Sequence, residues 1–182
     1  MKFSNFWDLK SYLQNNQHRI DLWTEWLCKI YYIKLSKMGS WIAHNSVFDG
    51  QPCFPHGMLG IFVSGGSKIG KNAVIFQHVT IGSNTLHDSD KFGSPEIGDN
   101  VYIGAGAKII GLVKIGNNCR IGANAIIYKD LPENSVAVQS PTRIVQKDNL
   151  DNRFFSMNSN KEWVYFNNGK WESAETLKNK NQ

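Results

Sequence analysis

The stretch IGAGAKIIGLVKIGNNCRIGANAI, residues 103–126, consists of four consecutive blocks of six residues, and each block begins with isoleucine. The frame continues to Ile97 and Ile127, and an earlier run repeats it from Ile69 to Ile81. A helix would scatter these side chains around its axis, because six is not a whole number of 3.6-residue turns. Six is compatible with the two-residue period of a strand. A short fixed period over this many blocks indicates a solenoid, and a hexapeptide period predicts a parallel β-helix.

Other positions of the block predict the inward side chains and the corners. The fourth residue after the isoleucine is small or modestly apolar, which suits an inward position: Ala73, Val79, Val101, Ala107, Val113, Cys119 and Ala125. The third residue after it is one that tolerates positive φ, which suits a tight corner: Asn72, His78, Asn84, Asn100, Gly106, Asn118 and Asn124. Leu112 is an exception, in a block that also lacks the usual glycine.

Composition favours a single intracellular domain with an appendage. The 182 residues include three cysteines, an odd number without a CxxC pair, so we expect free thiols in a reducing compartment. No stretch resembles a signal peptide, and no run approaches the ~18 apolar residues of a membrane span. The predicted location is therefore the cytoplasm.

The charge balance suits an anionic small ligand. The formal net charge is +5 and the pI is about 9.1. Lysine and arginine are dispersed, however, and no basic helix or base-reading aromatic motif is present. The sequence therefore does not predict nucleic-acid binding.

Three regions follow from the change in pattern along the chain. Residues 1–40 are predicted to be helical, with an apolar face at helical spacing from Asp21 onward that includes Trp23 and Trp26. We expect this helix to dock on the solenoid or on a neighbouring subunit. Peripheral membrane contact is the alternative, because aromatic residues stand beside Lys29, Lys34 and Lys37.

The solenoid and a C-terminal extension make up the rest of the chain. The repeat predicts an all-β solenoid domain over residues 41–146, followed by an extension over 147–182. Within the extension, WVYFNNGKW (163–171) places an Asn-Gly pair between aromatic runs, which predicts a β-hairpin.

Two insertions interrupt the solenoid. About three extra residues bulge out around Pro55-His56-Gly57, and a longer excursion, SNTLHDSDKFGSPE (83–96), separates Ile81 from Ile97. Loops that interrupt a regular scaffold commonly carry function.

Stacking predicts which histidines meet. With three blocks per coil, and with the excursion replacing one corner, Ile75, Ile103 and Ile121 stack on one face, and Phe54 lies one coil beneath Ile75. His56 and His78 then approach the same edge. The repeat does not require a histidine at 56, so His56 is the leading candidate. His78 occupies a corner slot, which explains it structurally and leaves it a secondary candidate.

Several ordered motifs together resemble the serine acetyltransferase group of left-handed β-helix acyltransferases. They are PHGMLGIFV (55–63), KIGKNAVIFQHVTIGS (68–83), IGAGAKIIG (103–111), KIGNNCRIGA (114–123) and SPTRIV (140–145). The similarity covers roughly residues 40–146, and it is closer still to the branch found in surface-polysaccharide gene clusters.

The resemblance implies a homotrimer with three active sites between adjacent solenoids. It implies acetyl-CoA as a co-substrate, without a tightly bound cofactor or a metal site. It also implies a histidine base just before the Gly-Ile of the coil that begins GIFV, and here that residue is His56.

Two departures bear on the acceptor. Serine-specific members carry Asp-Arg-His-Pro at the end of the excursion, where this chain has Phe92-Gly93-Ser94-Pro95. The N-terminal helical region is also reduced to about 40 residues. We therefore expect acetyl transfer to a sugar hydroxyl of a surface or capsular polysaccharide or its precursor. Serine O-acetylation for cysteine biosynthesis is the alternative.

The expected mechanism is direct transfer with His56 as general base. A covalent route through Cys53 is less favoured, because we expect that thiol to face inward. Ala105 and Ala123 are 18 residues apart and share a corner, where small side chains give pantetheine access to the backbone. Lys129 and Arg143 lie at the closing end, where the resemblance places the nucleotide phosphates.

Two other classes of protein use the same solenoid. A zinc enzyme of the carbonic anhydrase type needs a close histidine pair, and His78 and His87 are nine residues apart. A catalytically silent scaffold is the third possibility, and it predicts no binding of CoA.

Overall fold

The computed structural model describes residues 5–19, 21–140, 152–153, 155–167 and 169–174. The chain divides into two compact units, residues 1–140 and 141–182. The first contains two helices, α1 (Phe6–Asn15) and α2 (Leu22–Ser36), followed by short strands. These strands are β1 (Trp41–Ile42), β2 (Val47–Phe48), β3 (Phe62–Val63), β4 (Lys68–Ile69), β5 (Val74–Ile75), β6 (Thr80–Gly82), β7 (Glu96–Ile97), β8 (Tyr102–Ile103), β9 (Lys108–Ile110), β10 (Lys114–Ile115), β11 (Arg120–Ile121), β12 (Ile126–Ile127) and β13 (Val136–Ala137).

The strands form three parallel sheets, so the predicted parallel solenoid is confirmed. The first sheet has the order β1-β3-β6-β9-β12, the second β10-β7-β4-β2, and the third β13-β11-β8-β5. Each coil visits the three sheets in turn. Ile75 pairs with Ile103, and Ile103 pairs with Ile121, as the count of three blocks per coil predicts. All three isoleucines are fully buried, because successive strand residues face opposite sides and these face the axis.

The three corners of the solenoid are named here by what they carry. The asparagine corner leads from the second sheet to the third, and stacked amides link it in a ladder of Asn72, Asn100, Asn118 and Asn134. The bulge corner leads from the third sheet to the first. The loop corner leads from the first sheet to the second and carries the excursion.

The corner prediction holds for six of the seven residues named. Asn72, His78, Asn100, Gly106, Asn118 and Asn124 all have φ between 55° and 70°. Asn84 is not among the residues with positive φ, because it starts the excursion and pairs with Gly93 in an antiparallel bridge.

The block around Leu112 turns at a different residue. Gly111 has a φ of 83° and takes the turn one residue early. The Gly111 N–H donates to the Gly82 carbonyl, and the Leu112 N–H donates to the Lys91 carbonyl of the excursion. A glycine is required at 111, because a Cβ there would lie 2.8 Å from the Lys91 carbonyl oxygen.

The N-terminal region contains two helices where the sequence predicted one. The break follows from Asp21, whose side chain accepts the Thr24 N–H and caps α2. The helix α2 docks on the solenoid through Thr24, Leu27, Tyr31 and Leu35, all buried, and the Tyr31 hydroxyl donates to the Ile42 carbonyl at 2.9 Å. Trp23 and Trp26 were expected on this apolar face, but they are about half exposed and stack on each other.

None of the helices in the described part of the chain is long and apolar enough to span a membrane. In the second unit, β14 (Phe155–Met157), β15 (Trp163–Asn167) and β16 (Lys170–Ser173) form an antiparallel sheet. Asn167 lies opposite Lys170 across the turn between β15 and β16.

Candidate active site

The bulge that carries His56 replaces the bulge corner of the lowest coil. Cys53 pairs with Val74, so Phe54 lies beneath Ile75 as predicted. The chain then makes two turns, in which Gly57 and Gly60 have φ of 70° and 63°. It rejoins the solenoid where the Leu59 carbonyl accepts the His78 N–H at 3.0 Å. The extra residues therefore project outward at one edge of the solenoid.

The His56 imidazole is exposed at this edge and has two neighbours. Its Nδ1 lies 2.7 Å from the Oε1 of Gln77, within hydrogen-bond distance. The edge of its ring meets Phe76, with ring centroids 5.3 Å apart and planes at 89°. The imidazole is thus held from one side by residues that follow β5.

His78 lies at the same corner, and its main chain forms the turn there. Its φ of 60° makes the turn, its N–H donates to Leu59, and its carbonyl accepts the Lys108 ammonium at 3.1 Å. Its ring packs on Gly60, where an added Cβ would lie 2.2 Å from the ring Nδ1. His78 thus forms the turn of this corner, and its ring packs against Gly60 at the end of the bulge.

A column of corner residues rises from His56 along the solenoid. Gln77, Ala105, Ala123 and Gln139 each stand two residues beyond a strand of the third sheet, in matching register. Neighbouring strands are ~4.8 Å apart, so Ala105 lies about one strand spacing above Gln77. The Ala105 carbonyl accepts the Asn124 N–H at 2.8 Å. The side chains at 105 and 123 are single methyl groups, and Ala123 is exposed.

Of the two predicted phosphate-binding residues, the structure describes Lys129, which does not join this column within one chain. Lys129 is exposed at the loop corner, just after β12, with its ammonium 5.6 Å from the centre of the Tyr128 ring. Arg143 lies outside the described residues. The four predicted CoA contacts are therefore not gathered at one edge of a single solenoid.

The excursion is anchored to the loop corner by hydroxyl groups. Ser83 Oγ lies 2.8 Å from both Ser64 Oγ and Ser94 Oγ, and Ser94 donates to the Gly65 carbonyl at 3.0 Å. Further out, His87 stacks on Phe92, with ring centroids 4.9 Å apart.

An ion pair ties the excursion to the top coil. The Lys91 ammonium lies 3.0 Å from Asp130 Oδ1, which also accepts the Lys114 N–H. These hydrogen bonds, that of Lys91 above all, hold the pKa of Asp130 below its usual value.

The expectation for Cys53 is wrong, because its side chain is exposed. It pairs with Val74, next to the inward Ile75, and so occupies the outward position of its strand. Cys119 is buried, as predicted.

Gln77 is the site residue that sequence reasoning missed. The equivalent position in the next two coils is alanine, at Ala105 and Ala123. The count of three blocks per coil, which brings His78 to the bulge, brings its neighbour Gln77 there as well. A long amide side chain in a slot otherwise filled by methyl groups was the available signal. Within the described ranges, no three His, Cys, Asp or Glu side chains group so as to hold a metal ion.

Comparison with known proteins defines the class first. The family model described as bacterial transferase hexapeptide (six repeats) matches residues 94–129, so the coils are of the kind found in hexapeptide-repeat transferases. Among curated proteins, the serine acetyltransferase of Staphylococcus aureus is 40% identical over 95 residues, which cover 52% of this chain and 43% of that protein.

Solved structures point to the same relatives. Serine acetyltransferase isoform 3 from Entamoeba histolytica, in complex with cysteine, has a TM-score of 0.63 and 25% identity, covering 79% of this chain and 50% of that one. A serine acetyltransferase in complex with CoA has a TM-score of 0.57 and 26% identity, covering 77% of this chain and 55% of that one. The chain is thus homologous to serine acetyltransferases, although it spans only about half of their length.

These relatives correct two expectations. The narrower likeness to a surface-polysaccharide branch is not supported, and the expected sugar acceptor is wrong, since the relatives are serine acetyltransferases. The sugar prediction depended on four residues of the excursion, Phe92–Pro95, on the shorter helical region and on the narrower likeness, whereas the structural similarity covers 79% of this chain. These departures were too little to assign a new acceptor.

Proposed function

We propose that this chain is a serine O-acetyltransferase that uses acetyl-CoA as the donor and His56 as the general base. The observation that carries the proposal is the exposed His56 imidazole, whose Nδ1 lies 2.7 Å from Gln77 Oε1 at the foot of the column that contains Ala105 and Ala123. The relatives support both substrates, because they are serine acetyltransferases and one of them is a CoA complex.

The chemistry requires a base because an alcohol is a poor nucleophile at neutral pH. His56 Nε2 accepts the proton of the serine hydroxyl while the oxygen forms a bond to the thioester carbonyl carbon. The tetrahedral intermediate then breaks its carbon–sulfur bond, and the departing CoA thiolate takes the proton back from the imidazolium. The products are O-acetylserine and free CoA. Such acid–base assistance contributes ~10²–10⁴-fold in rate.

The donor extends along the column above His56. Ala105 and Ala123 give the pantetheine arm access to the backbone of successive coils, and Lys129 and Arg143 take the nucleotide phosphates. Lys129 belongs to a different corner of the same solenoid. A homotrimer in which the bulge corner of one chain faces the loop corner of the next would bring these residues to one site.

Four further elements belong to this proposal. The solenoid winds left-handed, and residues 41–146 form the catalytic domain between the helical region 1–40 and the extension 147–182. The location is cytoplasmic, and His78 supports the bulge through its corner without entering the reaction.

The test is an assay of thiol release from acetyl-CoA with L-serine as the acceptor, and mass spectrometry identifies the acetylated product. L-Alanine, which lacks the hydroxyl, is the acceptor control. His56→Ala should lower kcat by ~10²–10⁴-fold, while His18→Ala, at an exposed position after α1, should leave it unchanged. Absence of O-acetylserine, or full activity of His56→Ala, would refute the proposal.

A further inference from the structure

We propose that Gln77 is a positioning residue that fixes the tautomer of His56, so that Nδ1 carries the proton and Nε2 is free to act as the base. The catalytic part of this inference rests on the proposed function. The structural part, the state of the imidazole, does not.

The backbone on either side of the Gln77 side chain is anchored. The Gln77 carbonyl accepts the Gly106 N–H of the next coil at 3.0 Å, and the following residue, His78, donates its N–H to Leu59 at 3.0 Å. The position is therefore tied upward to the solenoid and downward to the returning end of the bulge. The Gln77 side chain is also half buried. These contacts fix the backbone from which the Gln77 amide reaches His56 Nδ1.

The hydrogen-bond chemistry of an amide makes this contact directional. The amide oxygen only accepts and the amide nitrogen only donates. With Oε1 toward Nδ1 at 2.7 Å, Nδ1 must carry the proton, and the lone pair of the neutral ring is left on Nε2. The same oxygen still accepts from Nδ1 after Nε2 has taken the substrate proton. One contact therefore serves the imidazole before and after proton transfer.

A neutral amide orients the ring without adding charge. A carboxylate in the same place would favour the imidazolium form, because an opposite charge within ~4–6 Å stabilises the protonated ring. Glutamine leaves more of the base in its neutral, reactive form at a given pH. Titratable side chains near the bulge include Cys53, His78, Tyr102, whose ring packs on Phe76, and Lys108. The Lys108 ammonium is occupied by the carbonyls of His78 and Gly106.

Gln17 provides the control position, because it is exposed after α1 and belongs neither to the column nor to the bulge. Gln77→Met removes the acceptor with little change in side-chain length, and Gln77→Glu restores an acceptor with a charge. The same changes at Gln17 test for unspecific effects.

The first measurement needs no activity. Long-range proton–nitrogen NMR of the ¹⁵N-histidine-labelled full chain reports which ring nitrogen of neutral His56 carries hydrogen. We expect the Nδ1–H form to predominate in the wild type, in Gln77→Glu and in Gln17→Met, and to be lost in Gln77→Met. An unchanged tautomer in Gln77→Met would overturn the inference, whether or not the chain acetylates serine.

The second measurement is kinetic. Gln77→Met should lower kcat by a few-fold to about tenfold, the range expected for one hydrogen bond, with an unchanged KM for acetyl-CoA. Gln77→Glu should retain activity but shift the acidic limb of the kcat/KM profile toward higher pH. The Gln17 variants should match the wild type. A wild type active on serine, with Gln77→Met equally active, would overturn the catalytic part of the inference and leave the proposed function standing.

Discussion

At the scale of the residue, the position of a histidine in the repeat determines whether the backbone conformation already accounts for it. His78 sits in a corner position that needs positive φ, and its backbone is engaged on both sides. His56 sits in an insertion where the repeat does not require a particular residue, and its ring contacts Gln77 and Phe76. The backbone geometry therefore explains the histidine at 78 but not the histidine at 56.

The exposed Cys53 requires a test of the covalent route. Its thiol lies on the outer face three residues before His56, and a covalent mechanism would use it as the nucleophile that accepts the acetyl group. Direct transfer predicts that Cys53→Ser retains kcat within about twofold, since the hydroxyl of the acceptor is the nucleophile. The measurement is thiol release at saturating L-serine and acetyl-CoA.

Mass spectrometry of the intact protein provides the control for this prediction. Wild-type protein mixed with acetyl-CoA, without serine, should show no acetyl adduct. A stable adduct on Cys53, together with an inactive Cys53→Ser variant, would replace direct transfer by a two-step mechanism.

At the scale of the element, α1 closes the lower end of the solenoid. Its Trp7 ring stacks on Phe54 and meets the edge of Phe48. On the same helix, Lys10 is only 1% exposed, and its ammonium donates to the carbonyls of Ser46 and His44 at 2.5 and 3.2 Å. Burial lowers the pKa of Lys10 to about 8.

The buried lysine predicts a pH dependence of stability. Its pKa is about 10.5 when exposed and about 8 in the folded chain, so between these values the unfolded chain binds a proton that the folded chain does not. The free energy of unfolding should therefore rise with pH across this window, by up to ~1.4 kcal/mol per pH unit from this group. Lys10→Met should lack that contribution. The measurement is denaturant unfolding at several pH values from 7.5 to 10.5.

Lys71→Met, at an exposed corner, is the control substitution. It should retain the pH slope of the wild type. Parallel pH dependences for wild type and Lys10→Met would show that the ammonium keeps its ordinary affinity for protons.

At the scale of the whole molecule, the core is a stack of identical layers. Removing methyl groups from an axial isoleucine leaves a cavity that the rigid coils above and below cannot fill. Ile103→Ala should lower the free energy of unfolding by ~2–5 kcal/mol. Ile126→Ala should change it by less than ~0.5 kcal/mol, because that side chain is 65% exposed. Chemical denaturation of both variants tests the difference, and equal losses would contradict an axial core.

Much of the solenoid was predictable because its constraint is local. Each coil needs the same kinds of residue at the same positions as the coil before it. The isoleucine spacing therefore predicts the strands, and the residues that tolerate positive φ predict most of the corners. The repeat did not predict the backbone at Asn84 and Leu112 correctly. Asn84 starts the excursion, and Leu112 follows Gly111, which makes the turn one residue early and contacts the excursion. The repeat also misplaced Cys53, because the inward position of that strand is occupied by the next residue, Phe54.

The sequence alone determined the parallel coils, the stacking of Phe54 beneath Ile75 and the outward bulge that carries His56, because a six-residue period leaves one way to bury the isoleucines. Only the tertiary structure decided that Gln77 meets His56, that Lys10 is buried and that Lys129 lies at another corner from Ala105 and Ala123. These contacts join residues from different coils or elements, and their side-chain directions depend on insertions whose course the repeat does not specify.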